Sequence, residues 1–120
     1  MRTKRTNTDF LNGVPELLLL NLLSRRPMYG YELVQAIRAS TNGTLEFGEG
    51  CIYPVLHRLE ADGMLLSKRE TVAGRSRVIY RVTSKGSKQL ASTTSTWQKI
   101  VQAVNHALHG GEHGKPAMAQ

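Results

Sequence analysis

The chain has 120 residues, and sixteen Lys and Arg against nine Asp and Glu give it a formal net charge of +7. A chain of this size holds one domain with a modest core, often completed by a partner, and its charge favours a polyanion, either nucleic acid or an anionic membrane surface. The longest apolar run, Val14 to Leu23, is interrupted by Pro15, Glu16 and Asn21; it falls short of the roughly 20 residues that cross a bilayer, which argues against a transmembrane segment.

The first ten residues are basic and polar and do not read as a secretory signal, so a cytoplasmic location is expected. Arg2, Lys4 and Arg5 form a basic arm over residues 1–13, suited to extra phosphate or minor-groove contacts or simply to solubility. Leu17 to Leu23 holds six leucines spread around a helix, with Pro15 suited to its first turn and Pro27 beyond its end. A helix that is apolar on all sides must be buried, here beneath its own domain and a further surface.

Tyr31, Leu33, Val34 and Ile37 recur at helical spacing and predict a second helix over about 29–41, stopped by Asn42-Gly43. A short connector, Thr44 to Phe47, leads to a third helix that is expected to be regular only from about Cys51, because Pro54 removes a backbone donor. Its apolar stripe is Ile52, Val55, Leu56 and Leu59, with Tyr53, His57 and Glu60 on another face and Gly63 as its end. Two extended runs follow, Leu65 to Val72 and Arg77 to Thr83, joined by Ala73-Gly74-Arg75-Ser76. In the second run Val78, Tyr80 and Val82 alternate with Arg77, Ile79 and Arg81, the signature of a β-hairpin with a basic tip.

Thr83 or Ser84 can cap a last helix, in which Leu90, Thr94, Trp97, Val101, Val104 and Leu108 alternate steps of four and three, a coiled-coil seam. The run Ser92 to Thr96 could instead be a flexible linker, but the seam continues through it. The fold class expected is mainly α with a small β-hairpin: a winged helix-turn-helix over 14–84, a C-terminal dimerisation helix over 85–109, and a disordered tail over 110–120. Such folds place the start of the third helix in the DNA major groove.

That start offers Gly50, Cys51, Tyr53 and His57, with Tyr31 on the helix before it; Tyr53 reads either as a DNA contact or as a half-buried core aromatic. Arg75 and Arg77 at the hairpin tip can reach phosphate or a narrow minor groove, and Lys68 and Arg69 either extend that surface or form a solvated strand edge. The expected DNA-contacting set is therefore Tyr53, Gly50, Cys51, His57, Arg75, Arg77, Lys68, Arg69, Tyr31 and Arg5, with double-stranded DNA as the partner. The single Cys51 forms no internal disulfide and fits a reducing compartment or a redox sensor.

No catalytic arrangement emerges, since Cys51 and His57 are six positions apart and neither has a third partner. His106, His109 and His113 lack a Cys or carboxylate cluster, so neither a metal nor a cofactor is expected. The rival readings are a winged-helix module that binds protein rather than DNA, and a membrane-surface protein. The first predicts a wing without arginines, and the second needs more basic residues than Lys85, Lys88 and Lys99 on the last helix.

Three motifs in order carry a resemblance: Pro27-Met28-Tyr29-Gly30-Tyr31-Glu32-Leu33, then Gly48 to Gly63 with Cys51-Ile52-Tyr53-Pro54 at its heart, then Gly74-Arg75-Ser76-Arg77 with Tyr80-Arg81-Val82-Thr83 and Gly86. Over about residues 14–108 the chain resembles short PadR-family transcriptional regulators. The resemblance implies a homodimeric repressor on a roughly palindromic operator, released by a small aromatic or hydrophobic compound, with Tyr53 as the DNA-contacting tyrosine and Arg75 as the wing arginine. It further implies a dimer built by the last helix packing on the first helix and on its partner, and an effector site around Trp97, Val101 and Leu18, where Trp97 reads equally as a packing residue of the dimer core. Cys51 stands where the family usually has a hydroxyl residue, and a thiol is the weaker donor; Ser76 stands where proline is common.

Overall fold

A computed structural model describes residues 13–113, so the basic arm with Arg5 and the residues after 113 lie outside the described residues. Packing divides the chain after Leu90 into two compact units, although one helix runs through the division.

In the first unit, helix α1 (Val14–Leu23) starts at Gly13, whose φ of 93° suits glycine, and carries Pro15 in its first turn, where the missing N–H costs nothing. Leu19, Leu20, Leu22 and Leu23 are buried, whereas Leu17 and Leu18 are half-buried, Leu18 against the same core. Strand β1 (Met28–Tyr29) then pairs antiparallel with a later strand, Met28 opposite Tyr80 and Tyr29 opposite Ile79. Two residues show no periodicity, so this strand exists only through its partner.

Helix α2 (Gly30–Ser40) begins where the Tyr29 N–H donates to the Glu32 carboxylate, a first-turn carboxylate meeting orphan amides. Leu33 and Ile37 are fully buried, but Tyr31, expected on the apolar stripe, is 47% exposed. The helix closes through a Schellman motif: Gly43 N–H donates to the Arg38 carbonyl and Asn42, at φ 54°, to the Ala39 carbonyl. The Thr41 hydroxyl accepts from Leu45 N–H, fastening the connector that buries Phe47.

Helix α3 (Glu49–Ala61) starts two residues earlier than expected and takes Pro54 inside it. The carbonyl that Pro54 leaves without a donor belongs to Gly50, which is exposed and open to solvent, so the lost bond is cheap. Ile52, Leu56 and Leu59 are fully buried. A second Schellman motif ends the helix, with Gly63 at φ 80° donating to the Glu60 carbonyl and Met64 to that of Leu59.

Strands β2 (Leu65–Val72) and β3 (Arg75–Val82) form the hairpin, and the sheet order is β1-β3-β2. Here the four-residue loop expected over 73–76 is corrected. Only Ala73 and Gly74 turn, at φ 51° and 79°, as a type I′ connection demands, and Arg75 pairs with Val72 and Ser76 with Thr71. Arg75 is thus the first residue of a strand, beside the tip rather than in it. The alternation holds on the core face, where Val78, Tyr80 and Val82 pack, but Ile79 on the opposite face is also buried.

Helix α4 (Ser84–His113) is capped by Thr83, whose hydroxyl accepts from Gly86 N–H and donates to the Gly63 carbonyl. Lys85 donates to the Asp62 carbonyl, so the start of α4 is tied to the end of α3. Ser92 to Thr96 is helical, not a linker, and the helix passes through Gly110 and Gly111 to His113, four residues beyond the expected end at 109. In the second unit Trp97, Ile100, Val104 and Leu108 are exposed along α4, at 41% to 70%.

Candidate nucleic-acid interface

The outer side of α3 presents Gly50, Tyr53 and His57. Gly50 has open space where a side chain would stand, so nothing in the fold itself requires glycine there. Tyr53 is half-buried, and its ring leans toward His57 with centroids 6.3 Å apart at 42°. A side-chain carbon on Gly30 would overlap the Tyr53 ring, so the first residue of α2 sets where the tyrosine lies. Burial, and then the nearby Glu49 carboxylate, push the Tyr53 hydroxyl above its usual pKa while Arg77 opposes them; the group remains a proton donor at neutral pH.

Between α3 and the hairpin lies a hollow of about 310 Å³. All four tyrosines of the chain line it, Tyr29, Tyr31, Tyr53 and Tyr80, together with His57, Arg69 and Arg77. Arg77 does not extend from the tip as expected. Its guanidinium lies over the Tyr29 ring, 4.6 Å from the centroid, and its Nε is buried with no hydrogen-bond partner. Arg69 donates to the Ser76 hydroxyl at 3.1 Å.

Lys68 and Arg69 do not share a surface, contrary to the sequence reading. Strand register sets Arg69 opposite Val78 on the helix side and Lys68 opposite Ile79 on the other, because neighbours along a strand face opposite ways. Tyr31 borders a second groove, of about 470 Å³, with Gln35, Arg38, Glu49 and Gly50. The sequence reading missed Tyr29 and Gln35 as members of these surfaces; Tyr29 had a signal only in hindsight, through its pairing with Ile79.

Charge is distributed unevenly over these surfaces. Arg26, Arg38, Arg58 and Arg81 are each paired with a glutamate, respectively Glu32, Glu46, Glu16 and Glu70. Arg69, Arg75 and Arg77, all on the hairpin, have no carboxylate within ion-pair distance among the described residues. Of these, Arg69 and Arg77 line the hollow with Tyr53 and His57, and Arg75 does not.

Cys51 is half-buried against the core, and burial pushes its thiol above the usual pKa. A raised pKa depletes the thiolate, the reactive form, at any pH near neutrality. Alkylation by iodoacetamide at pH 7.5 is expected to be slower than that of free cysteine and to accelerate only at higher pH; a rate equal to free cysteine's would overturn this. Among the described residues no group of three metal-ligating side chains occurs, and no helix is long and apolar enough to cross a membrane.

The sequence model of the transcriptional regulator PadR-like family matches residues 19–92. The transcriptional regulator Rv3488 of Mycobacterium tuberculosis is 32% identical over 105 residues, covering 88% of this chain and 92% of the relative. A transcriptional regulator from Clostridium thermocellum superposes with a TM-score of 0.75 at 27% identity, over 83% of this chain and 95% of its own. A PadR-like regulator from Bacillus cereus gives a TM-score of 0.73 at 30% identity, over 83% and 96%.

Proposed function

The chain belongs to the transcriptional regulator PadR-like family, and from that premise we propose that it acts in the cytoplasm as a homodimeric repressor on a dyad-symmetric DNA site, released by a small aromatic or hydrophobic effector. As a member of that family it is a regulator of transcription rather than an enzyme. The observation that carries the contact assignment is the placement of two arginines without carboxylate partners, Arg69 and Arg77, in one hollow with Tyr53 and His57 of α3. A helix N-terminus with an open glycine admits a close approach of DNA, and arginine is suited to phosphate.

In this reading α3 enters the major groove, with Tyr53, Gly50 and His57 nearest the bases and Cys51 half-buried against the core behind them. Tyr31, Arg69 and Arg77 contact the backbone beside α3, Arg75 and Lys68 act from the far face of the wing, and Arg5 adds to the N-terminal side. Selection of bound duplexes from random DNA by the purified protein tests the reading; failure to enrich any dyad site would defeat it. Arg75→Ala is expected to weaken all duplexes similarly and to lower the slope of log K against log salt by about one phosphate contact. An unchanged slope would remove Arg75 from the interface.

The dimer is proposed to form along Leu90, Thr94, Trp97, Val101, Val104 and Leu108 of α4, whose 4-3 spacing matches a helix-to-helix seam and of which Trp97, Val104 and Leu108 are exposed in the single chain while Leu90 and Val101 are half-buried. Two copies would set their α3 helices about 34–36 Å apart or a multiple of it. Sedimentation at micromolar concentration is expected to give a dimer, and the double change Val101→Asp with Val104→Asp a monomer; a wild-type monomer would overturn the assignment. Trp97 and its mate are the proposed stacking surface for the effector.

A further inference from the structure

We propose that α4 carries a yielding joint at residues 92–96, a run that is helical in the resting chain but opens or bends before the rest of the helix does. Three supports of a helix are missing there together. The first is propensity. Ser92, Thr93, Thr94, Ser95 and Thr96 follow one another, and each costs about a factor of two in local helix equilibrium against alanine, about thirtyfold for the run. Threonine loses rotamer freedom in a helix, and both hydroxyls compete for backbone groups.

The second missing support is packing. Leu90 packs against the core of the first unit, and large apolar residues return at Trp97, Ile100, Val101 and Val104. Between them residues 91–96 hold no large apolar side chain; Thr93 and Thr94 are half-buried, and Ser92, Ser95 and Thr96 are exposed. Thr94, the seam residue of this turn, has a single methyl group to offer a partner helix. Most helix stability in a protein comes from burying an apolar face, so this turn is the least held of α4. The third is charge: no residue from 91 to 98 is ionisable, and α4 has no Asp or Glu before Glu112, so no ion pair within the helix bridges the run.

The start of α4 is secured quite differently, by the Thr83 cap and by Lys85 on the Asp62 carbonyl. Yielding at residues 92–96 is cheap because their own hydroxyls and water take over the freed backbone groups. Its use rests on the dimeric DNA-binding reading: bending at this turn adapts the separation of two α3 helices to half-sites that differ in spacing.

Amide hydrogen exchange of the full chain, followed by NMR, tests the joint without DNA, because exchange reports local opening. Amides of residues 93–97 are expected to exchange at least tenfold faster than those of 87–90 and of 101–104. Protection that is level along α4, or that falls steadily toward its end, would overturn the joint. The triple change Ser92→Ala, Ser95→Ala and Thr96→Ala touches only exposed positions and should slow exchange in the run by about tenfold while leaving residues 87–90 unchanged. On a selected duplex, inserting one base pair at the dyad should cost the triple variant about tenfold more affinity than it costs the wild type, since the bent form is that much rarer. An equal cost for both proteins would overturn the role in half-site spacing. If no duplex is ever selected, the DNA-binding reading has failed separately, and the exchange pattern alone decides the joint.

Discussion

Tyr53→Ala is expected to weaken binding to a selected duplex by about 2 kcal/mol, roughly thirtyfold, and to relax sequence preference, as loss of one good base contact would. Gly30 supplies the more discriminating experiment. A methyl group there overlaps the far end of the Tyr53 ring, which can swing aside, while alanine is itself the better helix former. Gly30→Ala should therefore leave thermal stability within about 1 kcal/mol of wild type yet reproduce much of the Tyr53→Ala loss. Tyr53→Phe separates the ring from the hydroxyl. If Gly30→Ala binds DNA normally and folds normally, the position of the Tyr53 ring does not matter to recognition.

Gly86→Ala acts on the fold instead. Its Cβ would overlap the Met64 carbonyl oxygen and a Val82 methyl, and the carbonyl is backbone held by the Thr83 N–H at 3.0 Å, so it cannot turn away. Overpacking of this kind is expected to cost about 3 kcal/mol, a large share of the 5–15 kcal/mol typical of a domain. The thermal midpoint should fall by about 10 °C or more. Gly50→Ala is the control: it meets nothing within 4 Å, so it should stabilise the free protein slightly while crowding the DNA-facing helix end. Equal midpoints for Gly86→Ala and wild type would mean that α4 can shift at its start without loss.

Locally encoded features were legible in the sequence. The two Schellman stops, at Asn42-Gly43 and at Gly63, and the Thr83 cap depend on residues three to five positions apart; residue types alone announced the stops and narrowed the cap to Thr83 or Ser84. The apolar stripe of α3 was read correctly for the same reason: Ile52, Leu56 and Leu59 repeat with the helix period. The start of α3 was misjudged because Pro54 looked costly, and its cost depends on whether the Gly50 carbonyl meets solvent, which no local pattern reveals.

The sequence by itself therefore determined the order of the helices and the hairpin, the residues that stop them and the basic charge that selects a polyanion. The family motifs are short runs with fixed local geometry, so they too were visible without coordinates. Only the tertiary structure decided what distant residues do to one another. It paired Met28 and Tyr29 with β3, closed the hairpin on Ala73 and Gly74 alone, and put Arg69 rather than Lys68 on the side of α3. It also laid Arg77 over Tyr29 and set Gly30 against Tyr53, contacts between residues some 48 and 23 positions apart. Propensity and periodicity act over a few residues, whereas such contacts form only when the whole core closes.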